Sequence, residues 1–150
     1  MSNFSLQNKT AIVTGGAGGL GRAMVAAYAA AGANVVVASR NKEKIEAEAA
    51  GIRDKGQSAI AIATDITDSE QVEHLVSKTV ETFGALDVMV NNAGRWGRSH
   101  LAEETPLDEW RNIVDQNLTG VFIPCMAAGK QMIRQQFGKI INISSTAGSK

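Results

Sequence analysis

Five short apolar runs in this chain are solid rather than alternating, and that limits the folds open to it. The runs are Thr10–Val13, Asn34–Ala38, Ala59–Ala63, Asp87–Val90 and Lys139–Ile143. An alternating run marks a strand with one wet face, whereas a solid run bounded by turn signals marks a strand covered on both. Between the runs lie segments at helical spacing, near residues 19–31, 41–54, 68–83 and 106–136. Strand and helix alternating in this way predict an α/β fold, a doubly wound parallel sheet between two helical layers, with five strands present. The 150 residues suit one domain, and a hydrophobic content of 44% is ample for its core.

The helical segments carry their own punctuation. Val72, Leu75, Val76, Thr79, Val80 and Phe83 share one face, with Asp68 or Ser69 placed to cap it. Only Ile45, Ala49 and Ile52 make a stripe in the second helix, which predicts a mostly exposed element. Gly32, Gly56 and Gly84 each follow a helix, where a left-handed cap suits glycine. The longest segment aligns Trp110, Ile113, Val114, Leu118, Val121, Phe122, Cys125 and Met126 as one apolar face, with Asn117 inside it. Pro124 removes a helix hydrogen bond to Gly120, which predicts a kink between Asn117 and Pro124.

The turn after the first run is Thr14-Gly15-Gly16-Ala17-Gly18-Gly19-Leu20-Gly21. A strand, a glycine-rich turn and a helix N-terminus together make an anion site, because unpaired N–H groups and the helix dipole both face the ligand. Gly15 permits the tight turn, and Gly19 and Gly21 let a pyrophosphate and the neighbouring strand come close.

Ligands of doubly wound sheets bind at the carboxyl ends of the strands. The residues leaving the strands are Thr14 and the glycines, then Ser39 and Arg40, then Thr64, Asp65 and Ile66, then Asn91 to Gly94, and last Ser144 and Ser145. All five exits are small or polar, as a cleft for a polar, extended ligand requires. A carboxylate about 20 residues beyond the glycines would hold the free ribose 2′-OH of NAD. Ala38, Ser39 and Arg40 stand there instead, and the Arg40 guanidinium can pair with a 2′-phosphate. NADP(H) is therefore favoured over NAD(H), with Lys42 placed to assist.

Other classes are disfavoured. The 15 basic and 15 acidic residues cancel without a basic cluster, against nucleic acid as partner. No apolar stretch approaches about 18 residues, against a membrane span. Met1 to Ser5 lack signal-peptide regions, and the single cysteine, Cys125, excludes an internal disulfide and fits the cytoplasm. No His/Cys cluster has metal-ligand spacing. Asn117 has two readings at this point, a catalytic group or an asparagine satisfying a carbonyl freed at a kink. Cys125 suits packing better than reactivity, and His74 falls on an exposed face. His100 follows Gly94 closely enough to reach a substrate, although surface loop histidines are common.

The chain resembles the N-terminal portion of a short-chain dehydrogenase/reductase, a family with the Rossmann fold. Thr14-Gly15-x-x-x-Gly19-x-Gly21 is similar to its cofactor motif, and Asn91-Asn92-Ala93-Gly94 to its central-strand motif. Asn117 stands at its active-site asparagine, and Asn142-Ile143-Ser144-Ser145-x-x-Gly148 is similar to its serine motif. The resemblance implies Ser145, rather than Ser144, and Asn117 as catalytic residues. It implies cofactor contacts at Thr14, Gly15, Gly18, Gly19, Leu20, Gly21, Ser39, Arg40, Asp65, Ile66, Asn91, Ala93 and Gly94, with Asp65 at the adenine amino group. Trp96 and Arg98 are expected to rim a substrate pocket, and no metal is expected. Implied substrates are 3-oxoacyl thioesters on carrier protein, keto-sugars or sugar acids such as gluconate, in a homodimer or homotetramer. The family's Tyr-x-x-x-Lys pair does not occur in the 150 residues. Relatives run to roughly 200–250 residues. The expectation is therefore an NADP-binding domain incomplete at its C-terminus, inactive by itself and part of a longer enzyme. The alternative is a non-catalytic dinucleotide-binding or regulatory protein.

Overall fold

The computed structural model describes residues 4–95, 97 and 101–145. Five parallel strands form one sheet: β1 (Thr10–Thr14), β2 (Asn34–Ser39), β3 (Ala59–Ala63), β4 (Val88–Asn91) and β5 (Lys139–Asn142). Their spatial order is β3-β2-β1-β4-β5, so the order reverses between β1 and β4. The register pairs Val13 with Val37 and Val90, and Asn91 with Asn142. The helices are α1 (Gly19–Ala30), α2 (Lys42–Arg53), α3 (Ser69–Phe83), α4 (Leu107–Val114) and α5 (Gly120–Gln135).

The solid runs are explained by two cores, one on each side of the sheet. Val13, Val35, Val37, Ala59 and Val90 pack with Val25 and Ala29 of α1 and with Ile45, Ala49 and Ile52 of α2. Their chain neighbours Ile12, Val36, Ala38, Ile62 and Met89 pack with α3 and with Ala127, Ala128 and Met132 of α5. Successive strand residues face opposite ways, so a strand covered twice needs every position apolar. β5 departs from that expectation. Lys139, Ile140, Ile141 and Asn142 are all exposed, because β5 is an edge strand and, unlike the other edge strand β3, has little helix packed over it among the described residues.

Local signals set the helix ends. The Asp68 carboxylate caps α3 by accepting from the N–H groups of Glu70 and Gln71, and Gly84 closes the same helix at φ +85°. The segment predicted as one helix over 106–136 is instead α4, a π turn at Asp115–Thr119, and α5. The irregularity therefore lies upstream of Pro124, and α5 runs on through that proline, which is buried. α5 buries a face of small residues, Gly120, Pro124, Ala127 and Ala128, together with Met132. A Cβ on Gly120 would come within 2.7 Å of the Ile66 side chain, so the glycine lets α5 sit against the β3 exit.

The face predicted to be continuous is split by the π turn. Ile113 and Val121 turn toward a cleft. Trp110, Leu118 and Phe122 lie outward, 54%, 68% and 64% exposed.

Candidate nucleotide and catalytic clefts

The exit of β1 is stitched to the exit of β4. The Thr14 hydroxyl donates to the Val90 carbonyl (3.2 Å) and accepts from the N–H groups of Asn92 and Ala93 (both 3.1 Å). The Asn92 amide donates to the Thr14 carbonyl at 3.0 Å. Gly15 then turns at φ +67°, with its N–H on the Ala38 carbonyl at 2.8 Å. Close approach is required at Gly21, where a Cβ would collide with the Gly15 carbonyl oxygen. Gly19 has open space around it and is required for its backbone, at φ +49°. Gly18, the N-cap of α1, has no side chain to cap the helix, so the first N–H groups of α1 carry no side-chain cap.

Gly15, Gly18, Gly19, Gly21, Asn92 and Ala93 line a cleft of about 490 Å³. Of the residues predicted to bind cofactor, it collects Gly15, Gly18, Gly19, Leu20, Gly21, Ser39, Arg40, Asp65, Ile66, Ala93 and Gly94. At its far end the Arg40 guanidinium lies 4.0 Å from Asp65 Oδ2 and is 63% exposed. Asp65 Oδ1 accepts from the Thr67 N–H and hydroxyl at 3.0 and 2.7 Å. No carboxylate stands at the β2 exit itself, where Ser39 and Arg40 are found.

Two predicted cofactor residues sit elsewhere. Thr14 is buried and does not line the cleft, since its hydroxyl is consumed in joining β1 to β4. Asn91 is also buried, and its Nδ2 donates to Asn142 Oδ1 at 2.8 Å and to Cys125 Sγ at 3.1 Å. It ties β4 to β5 and α5. Three other residues line the cleft without having been assigned by sequence, namely Thr64, Asn92 and Gln116. Thr64 and Asn92 were legible as strand exits, whereas Gln116 gave no signal.

A second cleft, of about 700 Å³, adjoins the first and shares Asn92, Ala93 and Gly94 with it. It brings together Asn117 and Ser145, which are 28 positions apart in the chain, with Ser144, Arg95, Ile113 and Val121. Asn117 is held by three hydrogen bonds. Its Nδ2 donates to the carbonyls of Arg95 (2.8 Å) and Ile113 (3.0 Å), and its Oδ1 accepts from the Arg95 N–H (3.0 Å). The side chain thus satisfies an i−4 carbonyl at the π turn and pins the segment after β4. Gly94 makes room for it, since a Cβ there would come within 2.9 Å of Asn117 Oδ1. Trp96, Arg98 and His100 lie outside the described residues. Tyr28, the only tyrosine, lies on α1 and packs against the core that α1 and α2 share, where burial raises its phenol pKa. Cys125 is half-buried on α5, and His74 is exposed on α3.

No helix of the described residues is long and apolar enough to cross a membrane. Among them no group of three or more His, Cys, Asp or Glu is arranged to hold a metal ion.

This geometry has close counterparts. The chain is 41% identical over 142 residues to a Staphylococcus aureus protein named 3-oxoacyl-acyl-carrier-protein reductase FabG, covering 94% of this chain and 57% of that protein. It is 42% identical over 150 residues to the short chain dehydrogenase/reductase dpchG of Colletotrichum higginsianum, covering 99% of this chain and 56% of the other. A crystal structure of a short-chain type dehydrogenase/reductase from Mycobacterium marinum superposes with a TM-score of 0.94 at 35% identity, over 100% of this chain and 62% of that one. The chain therefore spans somewhat more than half the length of these relatives. The sequence model of the short chain dehydrogenase family matches residues 9–150, and the chain belongs to that family.

Proposed function

We propose that the protein interconverts a ketone and a secondary alcohol with NADP(H), as part of a longer chain of family length. The observation that carries this reading is the continuity of the two clefts across Asn92, Ala93 and Gly94. One cleft suits an extended dinucleotide and the other holds the Asn117–Ser145 pair, so a cofactor lying in the first would end against the second. The residues fit such a group. Gly18 and Gly19 have open space beside their backbone, the uncapped N–H groups of α1 suit a pyrophosphate, and Arg40 suits a 2′-phosphate.

The nicotinamide, when bound, supplies or takes the hydride. Ser145 donates a hydrogen bond to the substrate oxygen and stabilises the charge that develops there. Asn117 fixes the Arg95 backbone, and with it the wall of the cleft facing Ser145. In this reading a water held at the π turn links proton transfer to solvent. Proton transfer itself falls to a tyrosine–lysine pair outside these 150 residues. Resemblance to the Staphylococcus aureus relative supports a 3-oxoacyl thioester as substrate, and a keto-sugar or sugar acid is the other candidate class. A homodimer or homotetramer in the cytoplasm completes the proposal.

The test is a titration of the intact natural protein with NADPH and NADH, followed by turnover on a panel of 3-oxoacyl thioesters and keto-sugars. Tighter binding of NADPH with consumption of one panel member is the expected result. Binding of neither dinucleotide overturns the reading, and tight binding without turnover on any ketone favours a regulatory cofactor-binding protein.

A further inference from the structure

Arg95 enters the mechanism above through its backbone only. One side chain grips it on both sides. Its N–H donates to Asn117 Oδ1 at 3.0 Å, and its carbonyl accepts from Asn117 Nδ2 at 2.8 Å. Asn117 is itself anchored to the Ile113 carbonyl of α4 at 3.0 Å. The Arg95 side chain therefore springs from a fixed point in the wall of the catalytic cleft.

That side chain is unspent. Its guanidinium has no hydrogen bond or ion pair among the described residues. Glu109 of α4 approaches Gly97, but no ion pair joins it to Arg95. Arg95 lines the catalytic cleft and not the nucleotide cleft, where Arg40 stands. Of the described residues around the catalytic cleft it is the only charged one. Ile113, Val121 and Ile143 give that cleft apolar walls, and such walls strengthen the field of an uncompensated charge. Ser145 lies in the same cleft. A guanidinium presents a planar fork of N–H donors that matches a carboxylate. A single cation answers a single negative charge, which suits a carboxylate better than a doubly charged phosphate group.

We propose that Arg95 pairs with a carboxylate of the substrate while Ser145 holds the reacting oxygen, so that the substrate is a keto acid or the matching hydroxy acid. The two clefts then divide their cations, Arg40 for the cofactor and Arg95 for the substrate. This pairing rests on the oxidoreductase reading of the clefts, and within it selects an acid over a neutral keto-sugar or a thioester.

Calorimetric binding of keto acids and their methyl esters to the intact natural protein, saturated with NADP⁺, tests the pairing. The oxidised cofactor cannot reduce a ketone, so dissociation constants are read without turnover. 4-Oxopentanoate and 5-oxohexanoate, which set the carboxylate at different distances from the ketone, are each compared with the ester. Wild-type protein is expected to bind at least one acid more tightly than its ester by about tenfold or more. In Arg95→Met that ratio should fall toward unity, and Arg95→Gln gives the same readout where the methionine variant folds poorly. A wild-type ratio near unity overturns the proposal, as does a ratio that survives in a folded variant. A protein that takes up NADP⁺ and none of the four probes overturns it too. Failure to bind NADP⁺ overturns the reading of the nucleotide cleft instead, and so the two failures are distinguishable.

Discussion

Ser145 and Arg40 are the side chains whose loss should be felt most specifically. Removing one hydrogen-bond donor from a developing oxyanion costs about 10²–10³ in rate. Ser145→Ala in the full-length enzyme is therefore expected to lower kcat on that scale with the NADPH dissociation constant little changed; a normal kcat would remove Ser145 from the mechanism. A hydrogen bond to a charged group contributes about 1.5–3 kcal/mol, roughly 10- to 150-fold in binding. Arg40→Asp should shift the ratio of kcat/KM for NADPH over NADH by that order toward NADH, and an unmoved ratio would contradict the phosphate site. Gly21→Ala tests the turn rather than the chemistry. The added Cβ meets the Gly15 carbonyl, so about 1–3 kcal/mol of stability should be lost with cofactor affinity, read by denaturant unfolding and titration. Residue identity was legible wherever a strand exit put a small or polar group into the cleft. At Thr14 and Asn91 it gave the position without the direction of the side chain, because strand exits fix where the backbone is and leave open which way a side chain turns. Both side chains are engaged within the sheet, by the Val90 carbonyl for one and Asn142 for the other. Gln116 was illegible because a regular helical period hides the extra residue of a π turn.

Elements were read more securely than residues, since periodicity averages over many positions. α3 shows this, because its stripe, its Asp68 cap and its Gly84 terminus all stand where the sequence put them. The Asp68 pKa is lowered by hydrogen bonds from the Gln71 backbone and side chain, then from the Glu70 N–H. A carboxyl group whose folded pKa is depressed stabilises the fold above its unfolded pKa and loses that contribution as pH falls through the folded value. The melting temperature of Asp68→Ala should therefore trail wild type at pH 7, and the gap should close as the pH drops below the ordinary carboxylate range. A gap that ignores pH would mean the cap acts without its charge. The α4–π–α5 segment was read less well. Its large apolar side chains suggested the buried face, but the buried face is the small one, because only Gly120, Pro124 and the alanines allow α5 so near the sheet. Leu118 and Phe122 remain outward as a consequence.

For the whole molecule, the proposed dimer or tetramer can be tested on that outward face. Phe122→Glu is expected to shift the full-length protein toward monomer in light scattering, with its secondary structure retained; an unchanged mass would place the subunit contact elsewhere. The parallel sheet, its two cores and its two clefts follow from one arrangement, the reversal of strand order between β1 and β4. That reversal also sets a timetable. β1, β2 and β3 are each joined to the next by a single helix, so their half of the sheet closes through short-range contacts. β4 must find β1 from some 75 positions away, as in the bond from Thr10 N–H to the Asp87 carboxylate. Closing the longer loop costs more chain entropy and is slower. In pulse-labelled hydrogen exchange during refolding, amides of β1 to β3 should gain protection before those of β4 and β5. The seam where the cofactor is proposed to lie would then be the last part of the sheet to exist, and a young chain would carry half a binding site before it could carry any chemistry.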